Sequence, residues 1–139
     1  MAELYDSPFN GGFSEFKFTG KVLVSAGENE WTNASLSDAG DTTVVALEKQ
    51  ISIIGVQWSI NGGGLISIEE EDATEISASP ILTLSGNGHF HTGSHGVSFS
   101  PIKLAKTKGI QLIGDTNETG YTVIIKIRKE EGFGFNNPR

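Results

Sequence analysis

Residues 50–68 read Gln50-Ile51-Ser52-Ile53-Ile54-Gly55-Val56-Gln57-Trp58-Ser59-Ile60-Asn61-Gly62-Gly63-Gly64-Leu65-Ile66-Ser67-Ile68, and their periodicity decides the fold class. Ile51 and Ile53 alternate on odd positions, whereas Val56, Trp58 and Ile60 alternate on even ones. Period-two alternation suits a strand with one buried face, because successive side chains point to opposite sides. The parity change around Ile54-Gly55 is what one extra residue causes, so a β-bulge is expected there. Asn61-Gly62-Gly63-Gly64 tolerates positive φ and predicts a hairpin turn, with Leu65, Ile66 and Ile68 returning as the paired strand.

The same grammar extends in both directions. Phe16, Phe18, Val22 and Val24 share one parity, with a turn or irregularity at Thr19-Gly20. Thr42–Leu47 is rich in β-branched residues, and Pro80–Leu84 is apolar up to the turn signal Ser85-Gly86-Asn87-Gly88. Val97–Leu104, Ile110–Ile113 and Tyr121–Arg128 complete the set, while Glu28–Asp41 is a polar loop around Trp31. About eight short strands punctuated by Gly, Asn, Asp and Ser, with no helical pattern, predict an all-β fold. The expectation is an antiparallel β-sandwich, jelly-roll-like, with extended N- and C-terminal arms. Residues 1–12 read as an N-terminal arm, 13–129 as the sandwich domain and 130–139 as a C-terminal tail. Phe133 and Phe135 flank Gly134 in that tail, with no evident place in the chain's own sandwich. With Phe9 of the N-terminal arm they are candidate partner-binding residues, and the tail is expected to be dispensable for folding.

Composition narrows the function classes. The chain has 139 residues, enough for one domain that buries roughly two-thirds of its unfolded surface. Cysteine is absent, which removes disulfides, thiolate nucleophiles and Cys-ligated zinc. The formal charge of −7 argues against nucleic acid, whose phosphates call for a basic face. No apolar run approaches the ~20 residues of a membrane-spanning helix, and Met1–Asp6 lacks the basic start and apolar stretch of a secretory leader. A soluble protein made in a cytoplasm is expected, with no membrane partner. Glycine, at 18 residues, is about twice its usual ~7% share, in keeping with many turns.

Candidate chemistry is sparse. His89 and His91 share one side of a strand and could hold a metal together, with His95 nearby. Their His-x-His spacing is that of a cupin, but the Glu and the third His that a cupin supplies do not follow. Polar loop histidines at a sandwich tip are the plainer reading, and no metal or other cofactor is expected. Glu69-Glu70-Glu71-Asp72 lacks the alternating spacing of a calcium loop and reads as a solvated acidic turn. The Gly-rich pieces match no phosphate loop, and no GxSxG elbow is present. Trp58 reads as core. Trp31, in its polar loop, is the candidate exposed contact aromatic.

Val56-Gln57-Trp58-Ser59, the Gly turn, Leu65-Ile66-Ser67-Ile68 and Ile81-Leu82-Thr83-Leu84-Ser85-Gly86-Asn87-Gly88 together resemble small β-sandwich virion proteins of tailed bacteriophages. The long closing strand Gly120-Tyr121-Thr122-Val123-Ile124-Ile125-Lys126-Ile127 fits the same pattern. The resemblance covers a little over half the chain. It implies a non-enzymatic capsid decoration (cement) protein or a related head or tail component, located in the virion. The implied partners are the major capsid protein or neighbouring virion subunits, and the implied state is a homotrimer. No catalytic residue carries over. A receptor- or carbohydrate-binding knob using Trp31 or Tyr121 remains the alternative, and a metal-dependent cupin-like enzyme is a third reading.

Overall fold

Twelve residues near the C-terminus, Gly120–Glu131, alternate almost perfectly between buried and half-buried side chains. That alternation makes them the central strand of the larger of two sheets. The computed structural model describes residues 2–21, 30–31, 49–61, 64–70, 81–91, 101–105, 109–114 and 120–133. Their regular structure is entirely β. In chain order the strands are β1 (Ala2–Asp6), β2 (Phe13–Lys21), β3 (Glu30–Trp31), β4 (Gln50–Ile60), β5 (Leu65–Glu70), β6 (Leu82–Ser85), β7 (Asn87–His91), β8 (Ile102–Lys103), β9 (Ile110–Gly114) and β10 (Gly120–Glu131). The expected strand Thr42–Leu47 lies outside the described residues, as do Val22 and Val24.

The strands form two antiparallel sheets, one ordered β1-β2-β10-β4-β7 with β8 also on β4, the other β3-β9-β5-β6. The chain alternates between these sheets at every step from β2 to β10 except β5 to β6 and β7 to β8. Two facing four-stranded sets, β2-β10-β4-β7 and β3-β9-β5-β6, make the double-sheet architecture of a jelly roll. The expected all-β antiparallel sandwich is therefore what the chain forms.

Between the sheets lie Phe16 and Phe18 of β2, Ile51, Ile53, Val56 and Ile60 of β4, and Val123, Ile125 and Ile127 of β10. Ile66, Ile68, Leu84, Ile110 and Leu112 meet them from the other side. The bulge falls where parity placed it. Lys126 pairs with Gly55 and Ile127 with Ile53, so Ile54 is the extra residue. It lets both halves of β4 face inward, and it divides the far edge of β4 between β7, opposite 55–59, and β8, opposite 52–53.

Three sequence expectations change. The first is the hairpin across residues 61–64. β4 and β5 lie in different sheets, because β10 on one side and β7 with β8 on the other already occupy both edges of β4. The second is the N-terminal arm, since Ala2–Asp6 adds an edge strand to β2. The third is the tail. Phe133 is 1% exposed and belongs to the chain's own core, not to a neighbour.

What holds Phe133 is a buried charge. Lys129 continues the inward-facing row of β10 and is 0% exposed. Its ammonium donates to Asp6 Oδ1 at 2.6 Å and to the Ser7 carbonyl oxygen. It also lies 4.8 Å from the centroid of the Phe133 ring. The Ser14 hydroxyl donates to the same Asp6 oxygen, and Asn10 Oδ1 accepts from the Phe133 backbone N–H at 3.0 Å. The turn between β1 and β2 and the end of β10 are thereby one packed unit. Gly12 sits inside it, where a Cβ would lie 2.2 Å from Ser7 Oγ.

Two expected outcomes follow from this packing. Ile125→Asp puts an unpaired charge in the middle of the core, and loss of more than about 4 kcal/mol should leave no cooperative melt in a thermal scan. Phe133→Ala should cost about 3–5 kcal/mol in urea unfolding, whereas a tail that docks elsewhere would leave the midpoint where it was.

Candidate functional site

The even-numbered residues of β10 face away from the core, and neighbouring strands share that outer face row by row. One row runs Tyr5, Glu15, Lys126, Gly55, His91 across β1, β2, β10, β4 and β7. The next runs Lys17, Ile124, Gln57, His89. Because Gly55 has no side chain, the His91 ring can lie over it, and a hollow remains alongside. It is a groove of about 180 Å³ lined by Glu15, Gly55, Val56, Gln57, His89, Phe90, His91, Ile124 and Lys126. The Lys126 ammonium leans toward Phe13, 5.2 Å from its ring centroid.

A corner holds β7 against this groove. Gly86, at φ 59, bends the chain from the second sheet to the first between β6 and β7. Trp58 locks the bend: its indole N–H donates to the Ser85 carbonyl at 2.9 Å, and its ring meets Phe90 edge-to-face at 6.0 Å. Gly88 lies under that ring, and a Cβ there would come within 2.4 Å of it. The Ile60 N–H adds a bond to the Gly86 carbonyl at 2.8 Å. Trp58 is thus half-buried at the edge of the core. A smaller hollow of about 90 Å³ beside it is lined by Gln57, Trp58, Ser59, Thr122 and Ile124.

The sequence candidates are dispersed by this geometry. His89 and His91 share the outer face and one groove, on a strand and not in a tip loop. His95 and Phe135 lie outside the described residues. Trp31 pairs through its backbone with Ile110, and its side chain is outside the described set. Phe9 is half-buried beside the Lys129 cluster, its carbonyl accepting from the Gly12 N–H at 3.0 Å. Tyr121 is turned into the core with its hydroxyl unpartnered among the described residues, and burial pushes that phenol up. It is not a surface contact aromatic.

Sequence reasoning missed two charged arrangements. On β10, Arg128 and Glu130 are two residues apart on the outer face and form a 2.8 Å ion pair. Burial alone would raise the Glu130 carboxyl. The Ser52 hydroxyl beside it, the Arg128 guanidinium and the Lys103 charge together outweigh burial and hold it below its ordinary value. On β5, Glu69 is 4% exposed, not a solvated turn residue. It lies opposite Gln111, whose amide donates to it, while Oε1 has no partner among the described residues. Among the described residues no group of three His, Asp or Glu side chains is placed to hold a metal.

No protein-family model, curated protein or solved structure matches this chain.

Burial raises the Glu69 carboxyl above its ordinary 4.5, the Gln111 hydrogen bond opposing it. The folded chain therefore holds this proton more tightly than the unfolded chain. Its contribution to stability is full in acid and is lost as pH rises through the raised folded value. Glu69→Gln should melt higher than the parent at pH 7, and the difference should vanish at pH values below the ordinary carboxyl range. Calorimetry at both pH values checks the sign.

Proposed function

We propose that this chain is a non-enzymatic structural protein of a virion, a capsid decoration protein of the tailed-phage type. In this reading it is made in the host cytoplasm and assembles, as a homotrimer, onto the major capsid protein or neighbouring virion subunits. The observation that carries the non-enzymatic, surface-acting part is the position of its large apolar side chains. The space between the sheets is filled by core residues, whereas Leu4, Tyr5 and Phe13 stand 49%, 59% and 43% exposed on β1 and the start of β2. β1 ends the strand order of its sheet. Among the described residues it is an edge strand, and with Leu4 and Tyr5 exposed on it and Phe13 on its neighbour it is a natural place for another subunit to pair and pack.

The jelly roll itself does not discriminate, since capsid, lectin and cupin domains all use it. A cupin-type site would place its ligands inside the fold, but His89 and His91 face outward. A sugar-binding face built on Tyr121 is not available, because that ring is core. The virion assignment rests on the strand and turn pattern around Trp58 and Leu84-Ser85-Gly86. Attachment moves accordingly from the C-terminal phenylalanine Phe133 to the β1–β2 edge.

Purified particles from the chain's natural source should contain it in stoichiometric copy number by mass spectrometry and electron microscopy. Its absence from particles would sink the virion reading. Tyr5→Ser with Phe13→Ser should leave the melting profile intact and weaken co-sedimentation with particles stripped of this protein. Each buried interface aromatic is worth upward of about 1 kcal/mol, and unchanged co-sedimentation would move the contact to another face.

A further inference from the structure

We propose that His89 and His91 form a solvent-open binding site for a borderline divalent transition-metal ion, such as Zn²⁺ or Ni²⁺. The two residues sit two apart on β7, so their side chains leave the same face roughly 7 Å apart. Imidazole nitrogens leaning toward each other across that gap can both reach an ion at about 2.0–2.1 Å. The neighbouring strand is shaped for this. Opposite His91 stands Gly55, and a Cβ at that position would lie 2.8 Å from His91 Cδ2. The missing side chain is what lets the His91 ring lie over bare backbone at the rim of the groove it shares with His89. Gln57 stands opposite His89 and lines the same groove.

One lysine, Lys126, lines the same groove. Lys126 is drawn to Phe13 on β2, which is on the far side of β10 from β7. Glu15, opposite Lys126, adds negative charge to the groove. His89 is exposed and His91 half-buried, so neither imidazole is locked in the core and the ion keeps water in its remaining positions. Two imidazoles and water suit zinc, nickel or copper; magnesium and calcium prefer oxygen ligands. This site is independent of the virion reading: its two ligands lie on β7, and either conclusion can fail without the other.

The test is calorimetric titration of untagged, full-length protein with NiCl₂, ZnCl₂ and MgCl₂. Saturable one-to-one binding of nickel and zinc is expected, with none of magnesium. His89→Ala and His91→Ala should each weaken binding by more than the roughly 10–100-fold that loss of a supporting residue costs. His89→Asn and His91→Asn serve the same purpose should an alanine variant fail to fold. Absence of nickel and zinc binding, or binding that survives in the His89→Ala/His91→Ala double variant, overturns the proposal.

Discussion

Tyr121, Val123, Ile125 and Ile127 must leave water together while their backbone bonds to strands on both sides. β10 meets both demands at once, pairing with β2 from Lys21 to Phe13 and with β4 from Ile60 to Gln50. Once its two edges are used, its backbone polar groups are satisfied and its inward face is free to be wholly apolar. The positions of β2 and β4 follow. So does the departure of β5 to the opposite sheet, because β7 and β8 take the remaining edge of β4. The one-residue bulge at Ile54 reconciles two stretches of opposite parity in this arrangement. A slip of one residue would turn every side chain beyond it to the wrong face.

The same alternation creates a difficulty at the end of β10, where the next inward position is Lys129. A buried ammonium without partners would be prohibitive, and even a paired one recovers its desolvation cost only with good geometry. Asp6, the Ser7 carbonyl and the Phe133 ring supply that geometry, and the Ser14 hydroxyl steadies the carboxylate. Residues from both ends of the sequence are recruited around one charge. Asp6, Ser7 and Phe133, near the two ends, are therefore part of the fold. Phe133 is thereby core, whereas Leu4, Tyr5 and Phe13 of the β1–β2 edge stay exposed.

Among the described residues, the space between the sheets is filled by core side chains. The outer face of the six-stranded sheet offers alternating acidic, basic and imidazole side chains with a hollow at Gly55, and its edge offers Tyr5 and Leu4. Among the described residues no helix is long and apolar enough to cross a membrane.

The sequence alone determined the local facts. The period-two pattern of Gln50–Ile60 and Tyr121–Arg128, the bulge at Ile54 and the turn chemistry at Gly86 are all set by neighbours within a few residues. It also showed that His89 and His91 share a face, since that follows from strand geometry. Tertiary structure decided which strands pair, and with them everything that depends on long-range register. Glu69 looked solvated because three acidic residues follow it, yet it is buried opposite Gln111, 42 positions further along. Phe133 looked homeless because Asn10 of the β1–β2 turn, which accepts from its backbone N–H, lies 123 positions earlier and meets it only in the fold. Spacing along a chain reports which side of a strand a residue takes, but the occupant of the facing position comes from elsewhere in the chain. Only folding brings the two together.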